Sequence, residues 1–214
     1  MKIAFFDSGM GGLSVLHHAM KVLPHEEFIF YADEDNVPYG TKSTAQVQKF
    51  VGDAFDFLLK QDVKAIVVAC NTATSVAVAA MRRRYDLPII GMEPAAKKAL
   101  DMDGTKRVLV TATPITVKGR KMELLIEKVD KDHLVDRLAL PELVTFAERM
   151  EFNSQAVTDY LQEQLQPREC RKTLRPPEEP ASPSLLLPEL CIQSPQVLLL
   201  SFLPLSVPPL SEIE

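Results

Sequence analysis

The stretch Val63-Lys64-Ala65-Ile66-Val67-Val68-Ala69-Cys70-Asn71-Thr72-Ala73-Thr74 decides the fold of this chain. Val63 to Ala69 is an apolar run that reads as a buried strand, and the polar residues after it open a helix predicted over Thr74 to Tyr85. Cys70 therefore stands at the carboxyl end of a strand, where a helix begins. A thiol in that position lies near free backbone N–H groups and the positive end of the helix dipole. Both favour the thiolate, and with it proton transfer or nucleophilic attack.

The same rhythm extends outward from this unit. Upstream, Lys2 to Phe6 is a short apolar run ending in the turn-prone Asp7-Ser8-Gly9-Met10-Gly11-Gly12, followed by a helix over Leu13 to Met20. Phe28 to Ala32 reads as a second strand, and a polar loop through Pro38-Tyr39-Gly40 leads to a helix over about Thr44 to Leu59, with Ser43 or Thr44 as its cap. Pro88-Ile89-Ile90 is a fourth strand. Continuous apolar strands alternating with helices predict an α/β fold built on a parallel sheet with helices on both faces.

After Asp103-Gly104 the pattern resumes with a strand at Arg107 to Thr111, a helix over Val117 to Val129, a weaker strand at Leu134 to Leu138 and a helix over Ser154 to Leu165 capped by Ser154. This reads as an incomplete second α/β domain, because a further strand is called for after the last helix. From Pro167 the composition changes to Pro, Leu, Ser and Glu without glycine, as in Arg175-Pro176-Pro177-Glu178-Glu179-Pro180. Such prolines oppose both helix and central strand. The expected organisation is a first domain over 1–97, a partial second domain over 98–166 and an irregular proline-rich tail over 167–214.

Composition excludes several classes of function. The net charge of −5 leaves no basic footprint for nucleic acid. No segment approaches the roughly 20 apolar residues that span a membrane, and the N-terminal apolar run is broken too early to be a secretory signal. Three cysteines at irregular spacing are no disulfide framework, so a reducing cytoplasm is the expected compartment.

Three turns carry the chemistry: Asp7-Ser8 after the first strand, Pro38-Tyr39-Gly40 after the second and Cys70-Asn71-Thr72 after the third. In an open parallel sheet these loops share one edge, where ligands bind. An acid, a hydroxyl, a phenol, a thiol and an amide around a glycine-lined hollow suit a small polar molecule with carboxylate or amine groups. The glycine-rich loop has neither the Gly-Lys-Ser/Thr ending of a P-loop nor dinucleotide-fingerprint spacing, and Asp7 at its mouth repels phosphate. A phosphatase-like thiol loop needs an arginine where Val76 stands. A cysteine hydrolase needs an imidazole, yet His17, His18, His25 and His133 all fall outside the strand-end turns. Bland readings stand beside these: Cys70 as simple packing, Asp7 and Ser8 as a helix cap, Tyr39 as a surface-loop anchor, and Arg82-Arg83-Arg84 as a solvated helix end.

Ile3-Ala4-Phe5-Phe6-Asp7-Ser8-Gly9-Met10-Gly11-Gly12-Leu13-Ser14-Val15, Tyr31-Ala32-Asp33 with Val37-Pro38-Tyr39-Gly40, and Val68-Ala69-Cys70-Asn71-Thr72-Ala73 together resemble bacterial glutamate racemase. The resemblance continues through Ala112-Thr113-Pro114-Ile115-Thr116 and Leu143 to Glu148, as far as about Leu165. The Asp-Ser-Gly opening distinguishes it from the related aspartate racemases. It implies cofactor-independent interconversion of L- and D-glutamate for peptidoglycan synthesis, by two thiols facing the α-carbon from opposite sides. Cys70 matches the first thiol and Asp7 the carboxylate that assists it. Ser8, Tyr39, Gly40, Asn71, Thr72, Thr113 and Thr116 match substrate-binding positions. No metal or cofactor is implied, the small-molecule partner is glutamate, and members of the family are often homodimers.

The chain departs from the family at the second thiol, which follows a strand in a Gly-Cys-Thr-His turn. Cys170 lies in Arg168-Glu169-Cys170-Arg171 and Cys191 in Leu190-Cys191-Ile192, and neither has the glycine or the Thr-His. The expectation is a chain truncated or frameshifted after about Leu165 that keeps substrate binding and the first thiol. The family's returning C-terminal segments would then be missing from the first domain, exposing core edges. The alternative is a non-catalytic remnant, or a binding protein whose proline-rich tail engages a partner.

Overall fold

The computed structural model describes residues 1–102, 107–165, 189–194 and 197–201. Four strands build the first sheet: β1 (Lys2–Asp7), β2 (Phe28–Ala32), β3 (Val63–Val68) and β4 (Ile89–Gly91), in the order β2-β1-β3-β4 and all parallel. Their connections run through α1 (Leu13–Val22), α2 (Thr44–Leu58), α3 (Asn71–Val76) and α4 (Val78–Arg84). Alternation along a strand sends Ala4, Phe6, Ile66 and Val68 to one face, where all four are fully buried with Val47, Val51, Phe55 and Leu58 of α2 and Met81 of α4. Phe6 anchors this core by meeting the rings of Tyr31, Tyr39 and Phe55 at centroid distances of 6.1, 6.4 and 6.2 Å.

Local sequence explains the element ends. Ser43 opens α2 with a capping box, its hydroxyl accepting from Gln46 N–H while the Gln46 side chain accepts from Ser43 N–H. The helix expected over Thr74 to Tyr85 starts earlier and is interrupted. Cys70 is the cap of α3, and at Ala77 the backbone leaves regular helix with φ −116°. The side-chain amide of Gln48 donates to the Val76 carbonyl at 2.7 Å and satisfies the acceptor that the break sets free.

The second sheet holds β5 (Val108–Ala112) and β6 (Val135–Ala139) as a parallel pair, with α5 (Ala96–Met102), α6 (Pro114–Val117), α7 (Arg120–Val129), α8 (Pro141–Glu148) and α9 (Gln155–Leu165) around it. A smaller core of Ala96, Ala99, Val108, Val110 and Met122 binds α5 and α7 to β5. The single helix expected over Val117 to Val129 is two, parted where Gly119 adopts extended ψ of 142°. Ser154 caps α9 as expected, accepting from Val157 N–H.

Two segments within the expected tail are described as strands. β7 (Glu189–Ser194) and β8 (Val197–Ser201) form an antiparallel hairpin, and β8 pairs antiparallel with β5, Leu109 opposite Leu200 and Ala112 opposite Val197. Val197-Leu198-Leu199-Leu200 is a proline-free apolar run, and the side of β5 away from β6 offers it unpaired backbone groups. This hairpin is antiparallel, so among the described residues it is not the parallel strand called for after α9. The rest of 167–214, Cys170 included, lies outside the described residues.

Candidate active site

β1 delivers Asp7 fully buried to the edge where β3 delivers Cys70. Two backbone donors hold the Asp7 carboxylate: Ser8 N–H to Oδ1 at 2.9 Å and Gly12 N–H to Oδ2 at 2.6 Å. Gly12 immediately precedes α1, which has no side-chain cap bond, and a β-carbon on Gly12 would lie 2.8 Å from the Asp7 Cβ. Only glycine lets this turn close so tightly over the carboxylate.

Cys70 is wholly buried, its Sγ accepting from Ala73 N–H at 3.3 Å and lying 3.5 Å from the Ser8 hydroxyl. Helix α3 therefore does aim a backbone donor at the sulfur, as its place in the sequence requires. That donor favours the thiolate as expected, but larger effects outweigh it. Burial, and after it the negative charge of Asp7, push the Cys70 thiol up to about 12, against the opposing hydrogen bonds from Ser8 and Ala73. Asp7 itself is raised to about 7, by burial first and with the Glu148 charge adding to it, while the Gly12 and Ser8 N–H groups pull the other way. The site holds one proton in a thiol and a second group, the carboxylate, poised near neutrality.

Tyr39 is not a surface anchor. It is buried, and its hydroxyl donates to Asp33 at 2.5 Å, which with burial holds the phenol well above its ordinary range. Asn36 donates its side-chain amide to both Asp33 oxygens at 2.9 and 3.1 Å. Beside Tyr39, Gly40 faces Thr113 so closely that an added β-carbon would lie 2.6 Å from its Cγ2. Thr113 in turn joins a triangle of buried hydroxyls. Thr72 is 3.0 Å from Thr113 and 3.3 Å from Thr116, and Thr113 is 3.0 Å from Thr116. Asn71 is buried next to Thr72 and shares a small cleft with Thr116. All nine residues singled out from the sequence are buried or half-buried at or near this one edge, Gly40 being the half-buried one.

Two carboxylates were missed. Asp33 orients Tyr39 as described, and Glu148, at the end of α8, lies where a side chain on Gly9 would otherwise be. Burial and then the Glu34 charge raise Glu148, while Met10 N–H opposes them. The glycines at 9, 11 and 12 signalled a close approach, but nothing local said which residue approaches. The three arginines are exposed at the helix end as expected, and Arg82 in addition donates its guanidinium twice to the Ile89 carbonyl, at 3.0 and 2.8 Å. Among the described residues, no cluster of three or more His, Cys, Asp or Glu has the geometry to hold a metal, and no helix is long and apolar enough to cross a membrane.

A family model described as Asp/Glu/Hydantoin racemase matches residues 13–169, which include Tyr39, Gly40, Cys70, Asn71, Thr72, Thr113 and Thr116. The chain belongs to that family. Among its relatives, the glutamate racemase of Campylobacter curvus is 56% identical over 170 residues, covering 77% of this chain and 64% of the relative. Glutamate racemase 2 of Bacillus subtilis is 52% identical over 167 residues, covering 77% and 63%. The chain thus spans a little under two thirds of the curated relatives it matches. Its fold matches the Escherichia coli glutamate racemase solved with L-glutamate and the activator UDP-MurNAc-ala, at a TM-score of 0.70 and 31% identity, covering 78% of this chain and 65% of that one. The Francisella tularensis enzyme solved with D-glutamate matches at 0.67 and 33%, covering 77% and 62%. Like these racemase structures, this member of the family sets parallel strands among helices.

Proposed function

We propose that this chain binds glutamate at the strand-end edge and uses Cys70 to move the α-proton on one face of the substrate, as the first half of a cofactor-independent glutamate racemase site. The observation that carries the reading is the Cys70 thiol, buried 3.5 Å from the Ser8 hydroxyl and within the influence of the Asp7 charge. The relatives named glutamate racemase and the neighbours solved with L- and D-glutamate support the choice of substrate.

Each residue then has a task. The buried hydroxyls of Thr72, Thr113 and Thr116 and the Asn71 amide are donors for a carboxylate, with Ser8, Tyr39 and Gly40 closing the other side. The ammonium of bound glutamate offsets the burial that keeps the thiol protonated. Asp7, poised near neutrality, takes the Cys70 proton. The thiolate removes the proton at Cα, and the electron pair left there delocalises into the α-carboxylate. With no Gly-Cys-Thr-His turn in the 214 residues, the same thiol returns a proton to the same face, and exchange occurs without inversion. In glutamate racemases, as the resemblance implies, an opposite thiol completes the inversion that supplies D-glutamate for peptidoglycan. We also read residues 1–97 and 98–166 as separate domains, the cytoplasm as the compartment, and homodimerisation as the family habit.

Calorimetric titration with L-glutamate, D-glutamate and succinate tests the binding step. Saturable heat with either glutamate and none with succinate is expected, and no heat with either enantiomer contradicts the reading. A second reading, a glutamate-binding protein without turnover, is favoured by the missing turn; it predicts the same heat but no exchange.

A further inference from the structure

Ser75 carries the one buried side-chain polar atom without a hydrogen-bond partner among the described residues. It sits one helical turn after Asn71 on α3, so the two side chains share a face. Both line the small cleft between α3 and the start of α7, together with Thr116 and Lys121. That cleft has about 10 Å³ of room for the centre of a water-sized group, the scale of a single molecule.

Met92, Pro94 and Met122 give the notch mostly apolar walls, and a glycine keeps it open beside Ser75. A β-carbon on Gly119 would sit 2.8 Å from the Ser75 Oγ and 3.0 Å from the Ile115 carbonyl. Gly119 has φ −72°, which any residue adopts, so what glycine provides there is space. Lys121 bounds the notch, its ammonium 3.6 Å from the Glu93 carboxylate and 3.5 Å from the Met92 carbonyl. Thr74 is already engaged, donating to the Val68 carbonyl and accepting from Met92 N–H. The hydroxyl that still needs a partner is that of Ser75.

We propose that a structural water bridges Ser75 Oγ to the Asn71 side chain, making Ser75 a positioning residue that fixes the Asn71 amide for the substrate. A buried hydroxyl is stabilised only when hydrogen-bonded, and the cleft has room for one water, with the Ser75 hydroxyl, the Asn71 amide and the Thr116 hydroxyl as its polar partners in an otherwise apolar lining. The consequence for binding rests on the glutamate reading above; the water itself does not.

Two measurements test this. A high-resolution crystal structure of the intact protein is expected to hold a water within hydrogen-bond distance of both Ser75 Oγ and the Asn71 side chain. A dry notch, or a Ser75 hydroxyl turned onto a backbone carbonyl, overturns the proposal whether or not the protein binds glutamate. Glutamate titration then forms a double-mutant cycle. Ser75→Ala is expected to weaken binding about fivefold in the natural background and not at all in Asn71→Ala. Equal losses in both backgrounds overturn the positioning role, while a wild type that binds no glutamate overturns the function reading and leaves the water to the crystal structure.

Discussion

The Thr72 hydroxyl, on the helix that follows β3, lies 3.0 Å from that of Thr113, on the turn that follows β5. This bond ties the two sheets together at the edge where Cys70 sits. Replacing Thr72 with valine keeps the shape and removes the hub of the hydroxyl triangle. Thr72→Val is expected to lower stability by about 1–2 kcal/mol and glutamate affinity about tenfold, with Thr72→Ser retaining both. Urea unfolding and calorimetry check the pair.

Cys70 has two separable roles, accepting from Ala73 N–H as a helix cap and moving a proton. Serine preserves the first and loses the second. Cys70→Ser is expected to unfold within about 1 kcal/mol of wild type while exchanging no α-proton, whereas Cys70→Ala loses about 1–2 kcal/mol as well. Thermal denaturation beside an exchange assay separates the two.

Asp7 gives stability a pH dependence of predictable sign. Below about pH 4 the folded and unfolded chains both carry its proton; between there and about pH 7 only the folded chain does. Stability therefore falls as pH rises across that window and stays reduced above it, by at most about 4 kcal/mol. Asp7→Asn cannot ionise, so the difference between the two proteins' urea midpoints should change steadily from pH 4 to 7. Parallel curves would show that Asp7 ionises in the folded chain as it does in water.

Gly40 meets Thr113 with no room for a methyl group, a β-carbon falling 2.6 Å from Cγ2 and 2.7 Å from Cβ. Gly40→Ala is expected to push the Tyr39–Thr41 turn off Thr113, costing about 1–3 kcal/mol and most of the glutamate affinity. Unaltered binding in that variant would mean that the turn does not close the site.

The strands and their shared edge were legible because β1 and β3 are continuous apolar runs ending in Asp7-Ser8 and Cys70-Asn71. In a parallel sheet such ends necessarily meet. The resemblance extended the reading to Thr113 and Thr116, which no local pattern marks. Contacts between segments far apart in sequence were not legible. Glu148 over Gly9, Asp33 beneath Tyr39 and Gln48 on the Val76 carbonyl depend on how the helices pack. The protonation of Cys70 was not legible for a related reason: the helix terminus is visible in the sequence, but the depth of burial that outweighs it is not.

The most direct test is deuterium incorporation at the α-carbon of each glutamate enantiomer, incubated with the purified chain in deuterated water and resolved by chiral chromatography with mass detection. The account predicts incorporation with retention into one enantiomer and its loss in Cys70→Ser. Inversion would contradict the single-thiol reading; no incorporation into either enantiomer, or incorporation untouched by Cys70→Ser, would contradict the role of Cys70 itself.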